Sequence, residues 1–306
     1  MANGPTGRIR AVRVRISRSS RATRARDLGS RRTRPDEREA PDGSAMDLAI
    51  DRAHGARIYD YILGGKDNYA VDRAAGDASM RLWPALRVHM WENRSFMHRV
   101  ARHLAELGVR QFLDIGTGIP TSPNLHEVVQ SVAPDARVVY VDRDTTVLAH
   151  ARARMASSPE GRTAYVCADM RDPDAVLGAP QLRATLDLEE PVALTLIAVL
   201  HYVPEDDVAH EVVRRLVDAL APGSYLAASI ATDDFDPLPL AEVQRVYEAY
   251  GEKVRCRSRA QAERYFTGLD LLDPGLVQIH KWRPEPGAAP IPDADIAMYG
   301  AVARKP

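Results

Sequence analysis

The sequence predicts an α/β protein with a doubly wound, mostly parallel sheet. From residue 109 onward, short and almost continuously apolar segments alternate with helical patterns. Such segments are typical of strands that helices cover on both faces of a parallel sheet. Three helical patterns precede the first of these segments, and the sequence contains no internal repeat. We therefore expect an N-terminal helical part at residues 46–108 and one α/β domain at residues 109–306.

The individual elements follow from local spacing and from helix-capping residues. The predicted helices before the sheet are residues 47–63, 70–83 and 84–108. The predicted strands are residues 110–116, 136–142, 163–169, 191–200 and 224–231, with a closing pair at 269–282 and 296–305. In the first crossover helix, Ser122 is the predicted N-cap and Pro123 the first helical residue.

The composition is that of a globular protein whose charge is unevenly distributed. The 306 residues are 45% hydrophobic and 27% charged, with a net charge of −1. Residues 1–45 contain twelve arginines against five acidic residues, so the remainder is acidic. An acidic surface disfavours nucleic acid as a partner of the folded part. Cys167 and Cys256 are far apart and indicate neither a metal site nor a disulfide framework, which suits a reducing compartment.

Residues 1–45 are predicted to be a disordered, arginine-rich tail. They contain almost no large apolar side chains, so burial cannot offset the entropy lost on ordering. A nucleic-acid arm and a targeting peptide are two interpretations. We favour a dispensable tail or a start codon placed too early, because the first helical pattern opens at Met46. No apolar segment resembles a membrane span or a secretory signal, so a cytoplasmic protein is expected.

A glycine loop follows the first predicted strand, in the segment "FLDIGTGIPT" at residues 112–121. Gly116 and Gly118 allow the backbone to approach a ligand closely. The dinucleotide fingerprint would need a third glycine at position 121, where Thr121 stands. A carboxylate at Asp114 would repel a pyrophosphate but suits an ammonium group or hydroxyls. The loop therefore favours S-adenosylmethionine over NAD.

Acidic residues also end the next two predicted strands. Asp142 is placed to accept hydrogen bonds from ribose hydroxyls, although Asp144 competes for this role. Asp169 can accept from an adenine amino group, and the backbone N–H of Met170 can donate to a ring nitrogen. Because ligands bind beyond the carboxyl ends of parallel strands, these residues are expected to form one cofactor site with Asp114.

The segments "ARIYDYILGGKDNYAVDR", "ENRSFMHRVARHLAELGVRQFLDIGTGIPT", "ARVVYVDRDTTVLAHAR" and "PVALTLIAVLHYVPED" carry a resemblance. From Met46 to Pro306 the chain resembles class I S-adenosylmethionine-dependent methyltransferases. More narrowly, it resembles a bacterial S-adenosyl methyltransferase family long catalogued as a domain of unknown function. The resemblance implies an enzyme with S-adenosylmethionine as its cofactor. It also implies a Rossmann-like sheet of seven strands with a reversed last hairpin, preceded by a helical lid.

The segment at residues 56–73 is the most specific part of this resemblance. We expect its turn at Gly64-Gly65 to close over the methionine half of the cofactor. Either Lys66 or Arg94 could pair with the cofactor's carboxylate. Three tyrosines could place ring faces near the sulfonium, namely Tyr59, Tyr61 and Tyr69. The alternative is an ordinary glycine stop of a helix, with the tyrosines in the core.

His201 is the candidate general base, because it follows the fourth predicted strand in "AVLHYVPEDD". O-methyltransferases often carry a base in a similar setting, so methylation of an oxygen on a small molecule is slightly favoured. The alternative for His201 is a packing or capping role. Two other functions remain open: a non-catalytic S-adenosylmethionine-binding protein and, less favoured, a nicotinamide-dependent oxidoreductase. The sequence predicts no metal site and leaves the oligomeric state open.

Overall fold

The computed structural model describes residues 52–154 and 156–306 of the chain. The predicted tail at residues 1–45, and the predicted first helix as far as residue 51, lie outside the described residues. Among the described residues, no helix combines the length and the apolar composition that crossing a lipid bilayer requires.

Helices and strands alternate along the described chain after three initial helices. The helices are α1 (Gly55–Ile62), α2 (Ala70–Leu82), α3 (Leu86–Glu106), α4 (Leu125–Val132), α5 (Thr145–Arg154), α6 (Pro173–Leu177), α7 (Pro180–Arg183), α8 (Asp206–Asp218), α9 (Pro237–Ala249) and α10 (Arg259–Glu263). The strands are β1 (Gln111–Ile115), β2 (Arg137–Asp142), β3 (Arg162–Cys167), β4 (Ala193–Ile197), β5 (Tyr225–Ala231), β6 (Asp270–Leu271), β7 (Val277–Gln278) and β8 (Met298–Arg304).

The sheet has the predicted Rossmann-like arrangement. Its order is β3-β2-β1-β4-β5-β8-β6, and β7 also pairs with β8. Strands β1 to β5 are parallel, whereas β8 is antiparallel to β5. The edge position beyond β8, the last of the seven expected, is divided, since β6 and β7 pair with different parts of β8. Pro274 lies between them and has no backbone N–H to donate, which accounts for the interruption.

The first helix begins later than its sequence pattern predicts. Within the described residues the chain is not helical before Gly55, and the N-cap His54 is extended, with φ −134° and ψ 134°. The backbone N–H of His54 donates to the Asp72 carboxylate on α2 at 3.0 Å. The predicted helix is therefore wrong for residues 52–54, because this hydrogen bond holds the chain extended.

The crossover helix α4 also begins later than predicted. Its N-cap is Asn124, whose backbone N–H and side-chain amide both donate to the Glu127 carboxylate. The assignments of Ser122 as N-cap and Pro123 as first helical residue are wrong. The reciprocal capping by Asn124 and Glu127 satisfies the first turn beyond Pro123.

The end of β1 lies where the winding direction of the sheet reverses. From β1 the chain moves outward to β2 and β3, then returns to β4 and β5 on the other side. Open parallel sheets bind ligands beyond the carboxyl ends of their strands at such a reversal. The register sets Asp114 between Tyr140 of β2 and Thr195 of β4. Asp114 therefore lies at the centre of the expected crevice.

The N-terminal helices share a separate apolar cluster with the helix that follows β5. Ile58 and Ile62 of α1 and Leu86 of α3 are buried together with Leu240 and Tyr247 of α9. The helical part is thus anchored beside the crevice by the burial of apolar surface.

Candidate functional site

A cavity opens where the carboxyl ends of β1 to β4 meet helices α1 and α3. Its volume is about 1260 Å³, including the space at its mouth. Eight of the predicted cofactor-site residues line it: Tyr59, Arg94, Asp114, Gly116, Gly118, Asp142, Asp169 and Met170. The fold therefore gathers predicted residues from the carboxyl ends of three strands and from two helices around one space.

Asp114 is a buried carboxyl group at the floor of this cavity. It is 9% exposed, and the Thr195 hydroxyl donates to it at 2.6 Å. Burial raises its pKa from 3.8 to about 6, against the opposing effects of the Thr195 hydrogen bond and the Arg94 charge. The protein gives the buried carboxylate of Asp114 little stabilisation in its ionised form. A cationic group of a ligand would supply that stabilisation.

The glycine loop after β1 is built for close packing. Gly116 has a φ of 76°, and a Cβ there would lie 2.3 Å from Cγ2 of Val199. Gly118 has a φ of 65°, and a Cβ there would meet no atom within 4 Å. Both positions are left-handed, which favours glycine. The backbone at Gly118 therefore borders the open cavity without a side chain in between.

Asp142 ends β2 and is 9% exposed. Its carboxylate accepts from the backbone N–H groups of Gly118 at 3.0 Å and Asp144 at 2.9 Å. Burial raises its pKa, while these two hydrogen bonds act in the opposite direction. Of the two competing acids, Asp142 lines the cavity, whereas the Asp144 carboxylate lies 3.7 Å from the His54 ring nitrogen.

Asp169 and Met170 form the wall of the cavity beyond β3. The Arg171 side chain lies against Asp169, with Nε 3.0 Å and 3.1 Å from the two carboxylate oxygens. This contact lowers the pKa of Asp169, which stays ionised and can accept hydrogen bonds. Sequence reasoning did not anticipate Arg171.

Arg94 reaches the cavity from α3. Its Nη2 donates to the carbonyl oxygens of Thr121 and Pro123, the latter at 2.8 Å. Its Nε is buried and has no hydrogen-bond partner among the described residues. A buried donor without a partner is costly, so this atom is suited to an anionic ligand oxygen.

The glycine turn after α1, with Gly64, Gly65 and Lys66, is not among the described residues that line this cavity. The backbone N–H of Asp67 and the side-chain amide of Asn68 donate to the Asp60 carboxylate at 2.9 Å and 2.8 Å. A Cβ on Gly65 would lie 2.0 Å from that carboxylate, and Gly64 has a φ of 88°. The two glycines are thus explained by the turn itself, and Lys66 is exposed beside it.

The three candidate tyrosines occupy different environments. Tyr61 donates its hydroxyl to Asp77 at 2.7 Å, and the Tyr69 ring lies 5.2 Å from the Arg57 guanidinium. Tyr59 lines the cavity. Its hydroxyl donates to the Met90 carbonyl at 2.9 Å and accepts from Asn93 at 3.1 Å. Of the three tyrosines, Tyr59 alone is among the described residues that line the cavity.

A buried hydrogen-bond chain fixes the backbone at the end of β4. Asn93 accepts from the Ser229 hydroxyl at 2.7 Å, and Ser229 accepts from the Ala198 backbone N–H at 2.8 Å. Ala198 has a φ of 53°, a left-handed conformation that is costly for a residue other than glycine. Strained residues of this kind cluster at functional sites.

A second cavity adjoins the first and contains His201. Its volume is about 620 Å³, including its mouth, and its lining is mostly apolar. Tyr59, Ala198 and Tyr202 line both cavities. His201 lines the second cavity and not the first, and burial lowers its pKa to about 3. The candidate base is therefore neutral and lies beyond the junction of the two cavities.

Several lining residues were not predicted, notably His54, Tyr202 and Glu252. Tyr202 follows His201 directly, so the same strand-end argument could have found it. Glu252 comes from the segment after α9, and its carboxylate accepts from the Gly55 N–H at 3.3 Å. No local pattern in the sequence announces that contact. Among the described residues there is no group of three His, Cys, Asp or Glu side chains that could hold a metal ion.

Comparisons with known proteins identify the class. A sequence model of the S-adenosyl methyltransferase family matches residues 41–306. A DUF574 family protein from Streptomyces avermitilis MA-4680 is 59% identical, with a TM-score of 0.82 over 84% of this chain and 99% of that chain. A Thermobifida fusca YX protein, described only provisionally as a methyltransferase, is 38% identical, with a TM-score of 0.77 over 87% and 99% of the two chains. No curated protein matches the sequence significantly.

The chain belongs to the S-adenosyl methyltransferase family, as its resemblance implied. It is an S-adenosylmethionine-dependent methyltransferase by family and by fold. The groups in the first cavity fit that cofactor. Carboxylates at Asp114, Asp142 and Asp169 can receive its ammonium, hydroxyl and amino groups, and the unpartnered Nε of Arg94 can receive its carboxylate.

Proposed function

We propose that this protein transfers the methyl group of S-adenosylmethionine to an oxygen atom of a small molecule held in the second cavity. The observation that carries the proposal is that the two cavities are adjacent and share Tyr59, Ala198 and Tyr202, where we place the junction between donor and acceptor. Methyl transfer requires donor and acceptor to meet along one line without water between them. The second cavity is concave and mostly apolar in its lining, as small-molecule sites usually are.

The proposed cofactor contacts follow the order of the strands. Asp114 at the end of β1 receives the ammonium group, and Asp142 at the end of β2 receives the ribose hydroxyls. Asp169 and the backbone of Met170, after β3, receive the adenine edge. Because β1, β2 and β3 are neighbours in the sheet, these residues form a continuous row along one ligand.

Arg94 is the proposed partner of the cofactor's carboxylate, and Lys66 is not. We expect Arg94→Gln to weaken S-adenosylmethionine binding by about 10- to 100-fold, the loss of a hydrogen bond to a charged group. Lys66→Ala is the matched control and should bind the cofactor as the unaltered protein does, since Lys66 is exposed outside the cavity. Isothermal titration measures both. If only Lys66→Ala lost affinity for the cofactor, Lys66 beside the glycine turn would be the partner of the cofactor's carboxylate, and Arg94 would not.

The chain's own groups bring the acceptor oxygen to the junction and receive its proton. The bound cofactor supplies an electrophilic methyl group with a good leaving group. The hydrogen-bond chain through Asn93 and Ser229 fixes the backbone at Ala198. His201 accepts the hydroxyl proton as the new oxygen–carbon bond forms. Burial lowers the pKa of His201 to about 3, so its imidazole is neutral but only weakly basic. It takes the proton as the oxygen becomes acidic on bonding to the methyl carbon, and the positive charge of the sulfonium passes to the imidazole.

His201→Asn should separate proton transfer from binding. Asparagine can accept a hydrogen bond but cannot take the proton, so we expect kcat to fall about 100-fold or more, as for other general bases. The affinity for S-adenosylmethionine should stay the same, because His201 does not line the first cavity. His103→Asn, on the last turn of α3, is the control. An unchanged kcat in His201→Asn would leave His201 a packing residue.

The function is tested with methyl-labelled S-adenosylmethionine and a panel of phenols, alcohols and amines. Transfer of label to an oxygen of any panel member supports the proposal. Transfer only to amines would move the chemistry to nitrogen. Tight binding of the cofactor without any transfer across a broad panel would favour the non-catalytic alternative.

A further inference from the structure

The second cavity differs from the first in that no charged side chain of the described chain lines it. No Asp, Glu, Lys or Arg occurs among the described residues that line it. Its apolar wall includes Trp83, Leu86, Leu240 and Val243. Several carboxylates and arginines line the first cavity instead, among them Asp114, Arg94 and Glu252. Arg257 is fully buried behind this wall, and its charge acts on His201 and Cys256, but it does not line the cavity. A charged ligand in the second cavity therefore finds no side chain, among those described, with which to form a direct ion pair.

The ionisable groups that line this cavity are held in their neutral forms. Burial lowers the pKa of His89 to about 4 and that of His201 to about 3. Burial raises the pKa of Cys256 to about 12 and the pKa of Tyr247 far above its ordinary range. Placing a charge in such surroundings is costly unless it is paired.

Two imidazoles of this wall each have a buried ring nitrogen that is available for a hydrogen bond. The Nδ1 atoms of His89 and His201 are buried and have no hydrogen-bond partner among the described residues. Two other polar groups of the wall are engaged: the Tyr59 hydroxyl bonds to Met90, and the Gln244 amide lies 3.2 Å from the Cys256 sulfur. A neutral imidazole offers one donor and one acceptor, which matches a hydroxyl group.

We propose that the second cavity binds an uncharged ring compound that carries a hydroxyl group, with His89 and His201 as its hydrogen-bonding residues. The inference rests on the proposed function, because it specifies the acceptor of the same methyl transfer. The ring packs against the aromatic wall formed by Trp83 and Tyr247. Protonated amines and carboxylates are disfavoured, because each would lose its hydration without gaining a direct ion pair with a lining residue. His89, which lies on α3, becomes a specificity residue alongside His201.

Binding of three ring compounds of similar shape tests the inference without turnover. Naphthol, naphthylmethylamine and naphthoate are titrated into the full chain saturated with S-adenosylhomocysteine near neutral pH. Naphthol, the uncharged hydroxyl compound, should bind at least about tenfold more tightly than either charged compound. Equal or tighter binding of the amine or the carboxylate overturns the inference, and so does a failure of naphthol to bind.

A pair of variants tests whether the ring nitrogens of His89 contribute to naphthol binding. His89→Phe keeps a planar ring but removes both nitrogens, and it should weaken naphthol binding about tenfold or more. His103→Phe makes the same change on the same helix but lines neither cavity, and it should change that affinity by less than about twofold. Equal effects of the two variants overturn the role of His89.

The same titrations keep this inference distinct from the proposed function. If S-adenosylhomocysteine binds tightly but naphthol does not bind more tightly than the two charged compounds, the inference is wrong and the proposed cofactor site is unaffected. Loss of S-adenosylhomocysteine binding in the unaltered protein defeats the proposed function itself.

Discussion

Asp114→Asn should weaken S-adenosylmethionine binding by at least about thirtyfold, which corresponds to roughly 2 kcal/mol for a buried charge pair that loses one partner. The carboxyl is 9% exposed and lies at the end of β1, where the ammonium group is proposed to bind. Asparagine keeps the size of the side chain and can still accept from the Thr195 hydroxyl. The measured loss therefore reports the charge. Unchanged affinity in the variant would place the ammonium elsewhere.

The same substitution should stabilise the protein without its ligand. Burial raises the pKa of Asp114 from 3.8 to about 6, so the fold favours the protonated form. The contribution of Asp114 to the free energy of unfolding is greatest at acid pH and is lost as the pH rises from about 4 to about 6. Above that range the ionised carboxylate costs on the order of 2–3 kcal/mol, which asparagine avoids. We expect a higher Tm for Asp114→Asn near pH 7 and a smaller gain near pH 5.

Two controls make this result specific. Asp135→Asn removes an exposed carboxylate that is paired with Arg110, and it should change neither the cofactor affinity nor the Tm appreciably. In the unaltered protein, the dissociation constant of the cofactor should rise about tenfold between about pH 7 and pH 5, as Asp114 becomes protonated. Asp114→Asn should reduce that dependence. A Tm below that of the unaltered protein would show that the carboxylate is better solvated in the fold than its burial implies.

The sheet and the row of carboxylates could be predicted because both are local signals. A continuous apolar segment predicts a buried strand, and a carboxylate that follows it must lie at the carboxyl edge of a parallel sheet. Asp114, Asp142 and Asp169 each have this pattern, and all three line the cavity. The positions of the helix starts were less predictable. They depend on contacts from outside the local window, such as the Asp72 carboxylate that binds His54.

The glycine turn shows where local signals become ambiguous. Gly64-Gly65 is compatible both with a ligand-covering loop and with the end of a helix. Which of these two structures forms depends on Asp60, whose carboxylate occupies the space beside Gly65. Glu252 and the Asn93–Ser229 hydrogen bond were beyond prediction for a related reason. The partners of these contacts lie more than a hundred residues apart in the chain, and no pattern at either end specifies the other.

Asp72 anchors the start of the helical part that borders the cofactor cavity. It is fully buried on α2 and accepts from the His54 backbone N–H at 3.0 Å and the Tyr69 backbone N–H at 2.8 Å. It also pairs with Arg57 Nε at 2.9 Å, and Arg57 is 4% exposed. One carboxylate thus joins the beginnings of α1 and α2. The adjacent residues His54 and Gly55 line the cavity.

Asp72→Ala should therefore lower both stability and cofactor affinity. Removing one partner of a buried ion pair typically costs about 3–5 kcal/mol, because the other charge stays buried without it. Urea unfolding of the ligand-free protein measures that loss. Cofactor affinity should also fall, because His54 and Gly55 lose the hydrogen bond that positions them at the cavity. Asp77→Ala, on the same helix, removes a partially exposed acceptor of the Tyr61 hydroxyl and should cost about 1 kcal/mol.

The comparison of the two variants decides whether the start of α1 belongs to the cofactor site. If Asp72→Ala unfolds more easily but binds S-adenosylmethionine as before, the segment at His54 contributes to the fold alone. If affinity falls together with stability, while Asp77→Ala changes neither by much, the buried carboxylate holds one wall of the cavity in place. The second result is expected. A Glu252 carboxylate 3.3 Å from the Gly55 N–H cannot by itself replace a fully buried ion pair as the anchor of that wall.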